Sequence, residues 1–256
     1  MIRGGDMTKI HLLIRKEDID EDIVAEGNKI AVVLDVLLAT TTITSALNDG
    51  ASEVIPVLDY REALEIGKEF NPSNCILAGE DKAKPIDGFV YPSPKVIRES
   101  IAGKTLILST TNGTVALRKA ASAKEVYVSS LLNNPSVAAR VKTTVSEDDT
   151  ILVICSGNSG ELSLEDFYGA GHFISCLLED EWDAELTDGA RAALLFYKGN
   201  SNAYNVLSSA HVGKMFGRFD LEDELSFACQ KGAIPLVPIL RGRKVIIETE
   251  APTNLY

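Results

Sequence analysis

Short apolar runs rich in β-branched residues recur along the chain at 10–14, 30–34, 54–58, 75–78, 106–108, 126–129 and 151–154, each bounded by polar or glycine-containing segments. Runs of this length and composition predict strands. Between them the apolar positions take helical spacing, at 42–47, 61–70, 96–101, 114–121 and 135–145. The alternation predicts an α/β fold, a layered, mostly parallel or mixed sheet flanked by helices. After Ser163 the pattern changes to longer helical segments, 164–178, 189–197, 204–209 and 221–230, before two closing strands at 235–240 and 244–249. The C-terminal part is therefore expected to be helix-rich. No repeat, low-complexity tract or linker interrupts the chain, so residues 1–256 read as a single domain, with 143–149 as the place where two intimately packed lobes would divide.

Composition narrows the partners. With 45% hydrophobic residues the chain can bury a large core, and its formal charge of −12 makes the surface repel nucleic acid and anionic lipid. A small anion would need locally focused donors, and a homo-oligomer is compatible with this composition. Cys75, Cys155, Cys176 and Cys229 are widely spaced with no C-x-x-C, which predicts a reduced, cytoplasmic protein. Residues 1–7 are polar and the apolar run 10–14 is short, so neither a signal peptide nor a membrane span is expected, and Met7 is an equally good start.

In open α/β sheets ligands settle beyond the carboxyl ends of strands. Here three such ends carry chemistry. Asp35 follows an apolar run and leads through Thr40, Thr41 and Thr42 into a helix. Ser109, Thr110, Thr111, Asn112, Gly113 and Thr114 form the turn before another. Cys155 opens a segment with Gly157, Gly160 and Ser163 ahead of Glu165 and Asp166. Taken singly each is an ordinary helix start, and Ser163 with Asp166 has capping-box spacing. Taken together, hydroxyls and free N–H groups suit phosphate oxygens, while carboxylates in the same place would repel phosphate unless a cation lay between. That mixture points to Mg2+.

Several phosphate chemistries fail on these residues. The pattern G-x-x-x-x-G-K-[ST] is absent. Asp35 resembles the aspartyl-phosphate nucleophile of haloacid dehalogenase-type enzymes, but the second Asp expected two positions on is Leu37. Counting Cys-x5-Arg from Cys155 reaches Glu161, and Cys155 reads as a packed strand-end residue.

The order of motifs resembles the 2-phosphosulfolactate phosphatases of the coenzyme M pathway. The likeness rests on Val33-Leu34-Asp35-Val36-Leu37 running into Ala39-Thr40-Thr41-Thr42-Ile43, on Gly79-Glu80, and on Leu108 through Thr114. It continues with Gly157, Gly160, Ser163-Leu164-Glu165-Asp166, Ala170-Gly171, Asp188-Gly189-Ala190, Ser209-Ala210-His211 and Asp220-Leu221. The resemblance implies a magnesium-dependent phosphoric monoester hydrolase that converts 2-phosphosulfolactate to sulfolactate and phosphate. Leu38 stands where the family usually has Arg after the Asp-Val-Leu triplet, and Tyr91-Pro92-Ser93-Pro94 replaces an Asn-Ser-Pro type turn.

Asp35, Glu80, Glu165 and Asp166 are thus the candidate catalytic residues, with Asp35, Glu80 and Asp166 as candidate metal ligands: Asp35 because a carboxylate ending an apolar strand is costly unless it meets a cation or donors, Glu80 because it follows a strand and Gly79 and could join Asp35 across the sheet's end, and Asp166 as the neighbour of Glu165 in a helix, where one of the two would ligate and the other cap. Thr40, Thr41, Ser109, Thr111, Asn112, Gly113, Thr114, Gly157, Gly160, Arg191 and His211 are candidates for binding the anionic substrate. His172 and His211 could donate protons, and Arg191, Lys214, Arg241 and Arg243 could meet a sulfonate or carboxylate. The competing readings are a phosphatase of a different 2-phospho acid and a non-catalytic module that senses an anionic metabolite.

Overall fold

The computed structural model describes residues 8–81 and 84–248. The polar start at 1–7, with Met7, and residue 249 of the last expected strand lie outside the described residues. The strands in chain order are β1 (Lys9–Leu13), β2 (Lys29–Leu34), β3 (Glu53–Val57), β4 (Cys75–Asp81), β5 (Lys84–Pro85), β6 (Thr105–Ser109), β7 (Glu125–Ser129), β8 (Thr150–Cys155), β9 (Glu185–Leu186), β10 (Pro238–Arg241) and β11 (Lys244–Ile247). They form one mixed sheet in the order β5-β4-β6-β3-β11-β10-β7-β2-β8-β1-β9. With helices on its faces and a helical C-terminal part, this is the α/β class expected. Residues 143–149 lead from the helix Asn134–Thr144 into β8.

The β10–β11 hairpin sits in the middle of the sheet. It pairs antiparallel with β7 on one side and with β3 on the other. Consequently β3, β4 and β6, parallel among themselves, run opposite to the parallel set β7, β2, β8 and β1. In a flat sheet the carboxyl ends of the two sets would lie at opposite edges. Five strand-to-strand steps separate β2 from β6, and at roughly 20–25° per step the twist accumulates on the order of 100°. The twist turns the two sets of carboxyl ends toward each other.

Burial follows this curl. Along β2, Ala31 and Val33 join Val54, Leu106, Leu108, Leu240 and Val245 in a core that spans both halves, while Ile30, Val32 and Leu34 pack outward against Phe173, Ile174 and Leu177. On the other half, Ile55, Val57 and Ile107 face outward onto Ala63 and Ile66. The inner core encloses the helix Ala39–Asn48, whose residues 39–47 are all buried. Its run of threonines has low helix propensity, yet each hydroxyl finds a carbonyl: Thr40 Oγ1 donates to Asp35 O, Thr41 to Val36 O, Thr42 to Pro92 O and Thr44 to Thr40 O, at 2.7–2.9 Å. Small, internally satisfied side chains let the sheet close tightly around this helix.

The helix His211–Arg218 was not expected from the pattern, because Gly213 and Gly217 interrupt it. Gly213 instead allows contact with the preceding helix, where a Cβ would collide with Leu207 O. Among the described residues no helix is long and apolar enough to cross a membrane.

Because the hairpin joins the two halves, truncating its core residue should loosen both. Leu240→Ala is expected to cost about 2–5 kcal/mol in urea denaturation, as one cooperative transition. Two separated transitions would show that the halves fold independently.

Candidate active site

Asp35 lies one residue beyond β2 and is buried. Its backbone is clamped by Thr40, whose hydroxyl accepts from Asp35 N at 3.0 Å and donates to Asp35 O at 2.8 Å. Next to it, Val36 N donates to Asp166 Oδ1 at 2.8 Å, and the other Asp166 oxygen accepts from Ser156 N at 3.1 Å and Gly157 N at 3.2 Å. Asp166 therefore ties the loop after β2 to the loop after β8. Ser163 Oγ caps Asp166 N at 3.2 Å, the expected first half of a capping box, but the Asp166 carboxylate turns to the two loops. Gly157 supplies one of those N–H groups at φ +72°, and a Cβ there would lie 2.6 Å from Arg15 Cβ.

From the other half of the sheet come the ends of β4 and β6. Glu80 Oε1 accepts from Thr111 N at 2.7 Å, and Oε2 accepts from the Thr111 hydroxyl at 3.0 Å. Gly113 packs directly on Asp35: a Cβ there would strike the Asp35 carboxylate and lie 2.5 Å from Ala39 Cβ. Within this turn Thr110 and Thr114 also bond each other, Thr110 N to Thr114 Oγ1 at 3.0 Å and Thr114 N to Thr110 Oγ1 at 3.1 Å. The expected anion cradle at 109–114 thus gives much of its donor capacity to the protein's own carboxylates and hydroxyls.

A cleft of about 270 Å³ opens where these pieces meet, lined by Asp35, Glu80, Thr110, Thr111, Asn112 and His211 together with Asn158 and Ser159. Its size is that of a small-molecule site. Leu37, Leu38, Tyr91, Val212 and Met215 add an apolar wall. Several expected residues stand back from it. Thr40, Thr41 and Thr114 are buried with their hydroxyls committed to backbone carbonyls. Ser109 is buried at the end of β6, facing a neighbouring depression that shares Glu80, Thr110 and Thr111. Glu165 is buried, and Gly160 O accepts from Arg15 Nη1 at 2.6 Å. Arg191 is exposed on the helix Asp188–Gly199 and Lys214 on the helix His211–Arg218. Arg241 and Arg243 pair with Glu125 and Glu62 at the hairpin.

The electrostatics are those of stacked carboxylates. Burial, reinforced by Glu80 and Glu165, pushes Asp35 up to about 7 against the opposing N–H groups of Ala39 and Gly113. Burial also raises Glu165. Asp166 is raised well above the usual carboxylate range by burial, then by Asp35 and Glu165. Among the described residues no three His, Cys, Asp or Glu side chains form a ready-made metal cage. Magnesium is commonly held by one or two carboxylates with water and substrate phosphate completing its shell, and the Asp35–Glu80 pair facing the cleft fits that donor chemistry.

The match to known proteins decides the family. Residues 13–243 fit the model of 2-phosphosulpholactate phosphatase. The chain belongs to this family. Proteins named probable 2-phosphosulfolactate phosphatase are similar to it along almost their whole length. The protein from Clostridium beijerinckii is 37% identical over 242 residues, 94% of this chain and 100% of that one. That of Clostridium acetobutylicum is 38% identical over 232 residues, 90% and 96% of the two chains. For one from Clostridium botulinum the figures are 32% over 240 residues, 93% and 99%. Within this member of the 2-phosphosulpholactate phosphatase family, the cleft residues that sequence reasoning missed are mostly apolar or lie on the missed helix. Lys16, whose Nζ donates to Asn112 Oδ1 at 2.7 Å, was hidden in a charged run that reads as surface.

His172 belongs to a buried network elsewhere. Asn134 Nδ2 donates to Gly169 O at 2.9 Å and lies 3.0 Å from His172 Nδ1, while Asn134 Oδ1 accepts from Ser129 Oγ at 2.6 Å. The amide's orientation makes Nδ1 the acceptor, so the ring is neutral with its proton on Nε2. Burial, then Lys231, depresses His172 from 6.5 to about 4. This removes it as a proton donor at neutral pH.

Two expectations follow. Gly113→Ala should displace the Asp35 carboxylate and lower kcat/KM at least about 100-fold, since misplacing a reacting group by an ångström has that scale; wild-type turnover in a folded Gly113→Ala protein would detach Asp35 from the chemistry. For His172, the unfolded chain binds the extra proton between pH 6.5 and about 4, so stability falls as pH drops through that window and is level below it. Relative to His172→Gln, the wild type should lose about 3 kcal/mol across it, read by urea titration at a series of pH values. An unchanging difference between the two proteins would show that His172 titrates as a solvated residue.

Proposed function

We propose that the chain hydrolyses the phosphate monoester of a small 2-hydroxy acid, 2-phosphosulfolactate in the first place, to the hydroxy acid and inorganic phosphate, with magnesium at Asp35 and Glu80. Family membership and the names of its relatives support the reaction. The observation that carries the reading is the cleft-lining pair of buried carboxylates, Asp35 with its pKa raised by burial and then by Glu80, in a site of small-molecule size. Such a pair is stabilised by positive charge, and a phosphate dianion could approach it only with that charge in between. Magnesium, when bound, would supply it and polarise the phosphoryl group.

The chain's own residues do the holding. The N–H groups of Ala39 and Gly113 fix the Asp35 carboxylate, and Thr111 fixes that of Glu80 through both its N–H and its hydroxyl. Rigid ligands of this kind keep the reacting group in place without reorganisation as it reacts. His211 and Asn112 face the same space from the other walls.

A second reading, a phosphatase of a less charged 2-phospho acid, is favoured by the apolar wall of Leu37, Leu38, Val212 and Met215. Phosphate release from a panel of 2-phospho acids, with magnesium and after exhaustive chelation, separates the readings. We expect turnover that needs magnesium and exceeds that with calcium, whose looser coordination positions ligands less strictly. Asp35→Asn should remain folded and lose at least about 100-fold in kcat/KM at limiting magnesium. Full turnover after chelation would overturn the metal assignment. Preference for an apolar 2-phospho acid would overturn the substrate. Phosphate binding with no turnover on any ester would favour a sensing module instead.

A further inference from the structure

Of the turn between β6 and the following helix, the N–H groups of Thr110, Thr111, Gly113 and Thr114 already serve protein acceptors. Asn112 differs. Its Oδ1 accepts from Lys16 Nζ at 2.7 Å and from Ser159 N at 3.3 Å. An ammonium and a backbone N–H can only donate, so the atom facing them must be the amide oxygen, and the orientation of the carboxamide is settled by chemistry. The NH2 group is then the other arm of the carboxamide, turned to neither of those donors, on a residue that lines the cleft. Among the described residues no carbonyl or carboxylate is hydrogen-bonded to Asn112 Nδ2.

Lys16 is itself firmly placed. Lys16 N donates to Ser156 O at 3.1 Å, and Lys16 O accepts from Lys119 Nζ at 2.9 Å, so its backbone is held by the loop after β8 and by the helix Gly113–Lys119. Its side chain is only 13% exposed, and its ammonium divides between Asn112 and Glu17. A largely desolvated cation spending one donor on a neutral amide polarises that amide, making its N–H groups stronger donors.

We propose that Lys16 is a positioning residue for the anion subsite: with the Ser159 N–H it locks Asn112 so that the carboxamide NH2 donates to the phosphate group of the substrate. The inference rests on the phosphatase reading for the identity of the anion. Asn112 is the donor arm and Lys16 its anchor, reaching in from the segment after β1 to set a side chain of the opposite half of the sheet.

The test uses inorganic phosphate as probe, with calorimetric titration at fixed magnesium, alongside KM and kcat for 2-phosphosulfolactate. Lys16→Met should weaken phosphate binding and raise KM about tenfold, the scale of a lost charge-assisted hydrogen bond, with kcat changed much less. Lys16→Arg should restore most of the affinity. Asn112→Asp is the sharper variant, because it preserves and strengthens the contacts to Lys16 and Ser159 while replacing the cleft-facing donor by an acceptor. It should stay folded and weaken phosphate binding more than Lys16→Met does. In the double variant Lys16→Met with Asn112→Ala, phosphate should bind no more weakly than to Asn112→Ala alone, since Lys16 acts through Asn112. The proposal is overturned if Lys16→Met leaves phosphate affinity and KM within about twofold of wild type, if the losses multiply in the double variant, or if Asn112→Asp binds phosphate like wild type. A wild type that binds phosphate with this pattern among the variants but releases none from any 2-phospho acid would leave the subsite standing and remove the phosphatase reading.

Discussion

Asp35, Glu165 and Asp166 are carboxylates that lie almost entirely out of water around the ends of β2 and β8, each raising or raised by another. Bringing such charges together in a low dielectric is costly unless donors or a cation compensate. The protein meets part of that cost with backbone N–H groups: three go to Asp166, and those of Ala39 and Gly113 face Asp35. Every loop that supplies one of these groups is thereby fixed in place. The loop after β2 cannot move without breaking with Asp166, and the turn after β6 cannot move without unseating Asp35. Site geometry and local stability are consequently one problem in this molecule.

That arrangement depends on the sheet's reversal. Asp35 and Asp166 belong to the half containing β2 and β8, while Glu80, Thr111, Asn112 and Gly113 belong to the half containing β4 and β6. An uninterrupted parallel sheet would also gather its carboxyl ends along one edge, but β2 and β6 would then be separated by the width of the strands between them. With the antiparallel hairpin at the centre and the twist accumulated across it, the two sets of strand ends face each other over the helix Ala39–Asn48. The threonine-rich sequence of that helix fits the crowded space it occupies, since longer side chains would hold the halves apart. Fold and site share this helix, whose first turn also supplies the Ala39 N–H and the Thr40 hydroxyl that hold Asp35.

Strand positions, the helical tail and the three chemically loaded strand ends were legible because they depend on local periodicity and on residue types. Asp35 stood out since a carboxylate directly after an apolar run is rare without a purpose, and Gly79-Glu80 and Thr111-Asn112-Gly113 fell beside it as strand ends should. What the chain does not display locally is direction. Nothing in residues 238–247 announces that their hairpin inserts between β7 and β3, so hydrophobic pattern gives no hint that the two halves converge, and only the matching chemistry of their strand ends does. For the same reason Asp166 read as a metal ligand, although its oxygens are engaged by three N–H groups from two loops far apart in sequence.

Lys16 shows where single-sequence reasoning reaches its limit. In Arg15-Lys16-Glu17-Asp18 it has the look of a solvated turn, and Arg15 does pair locally with Asp18 at 2.9 Å. Only the tertiary structure brings Lys16 against Asn112, ninety-six positions along the chain. A strongly acidic protein that handles an anion has to place positive charge sparingly, because a cation in the open would be answered by the many surface carboxylates. Setting Lys16 behind a neutral amide meets that need. The lysine stays close to one carboxylate partner, Glu17, and Asn112 presents a donor to the cleft without presenting a charge that Asp35 or Glu80 would capture.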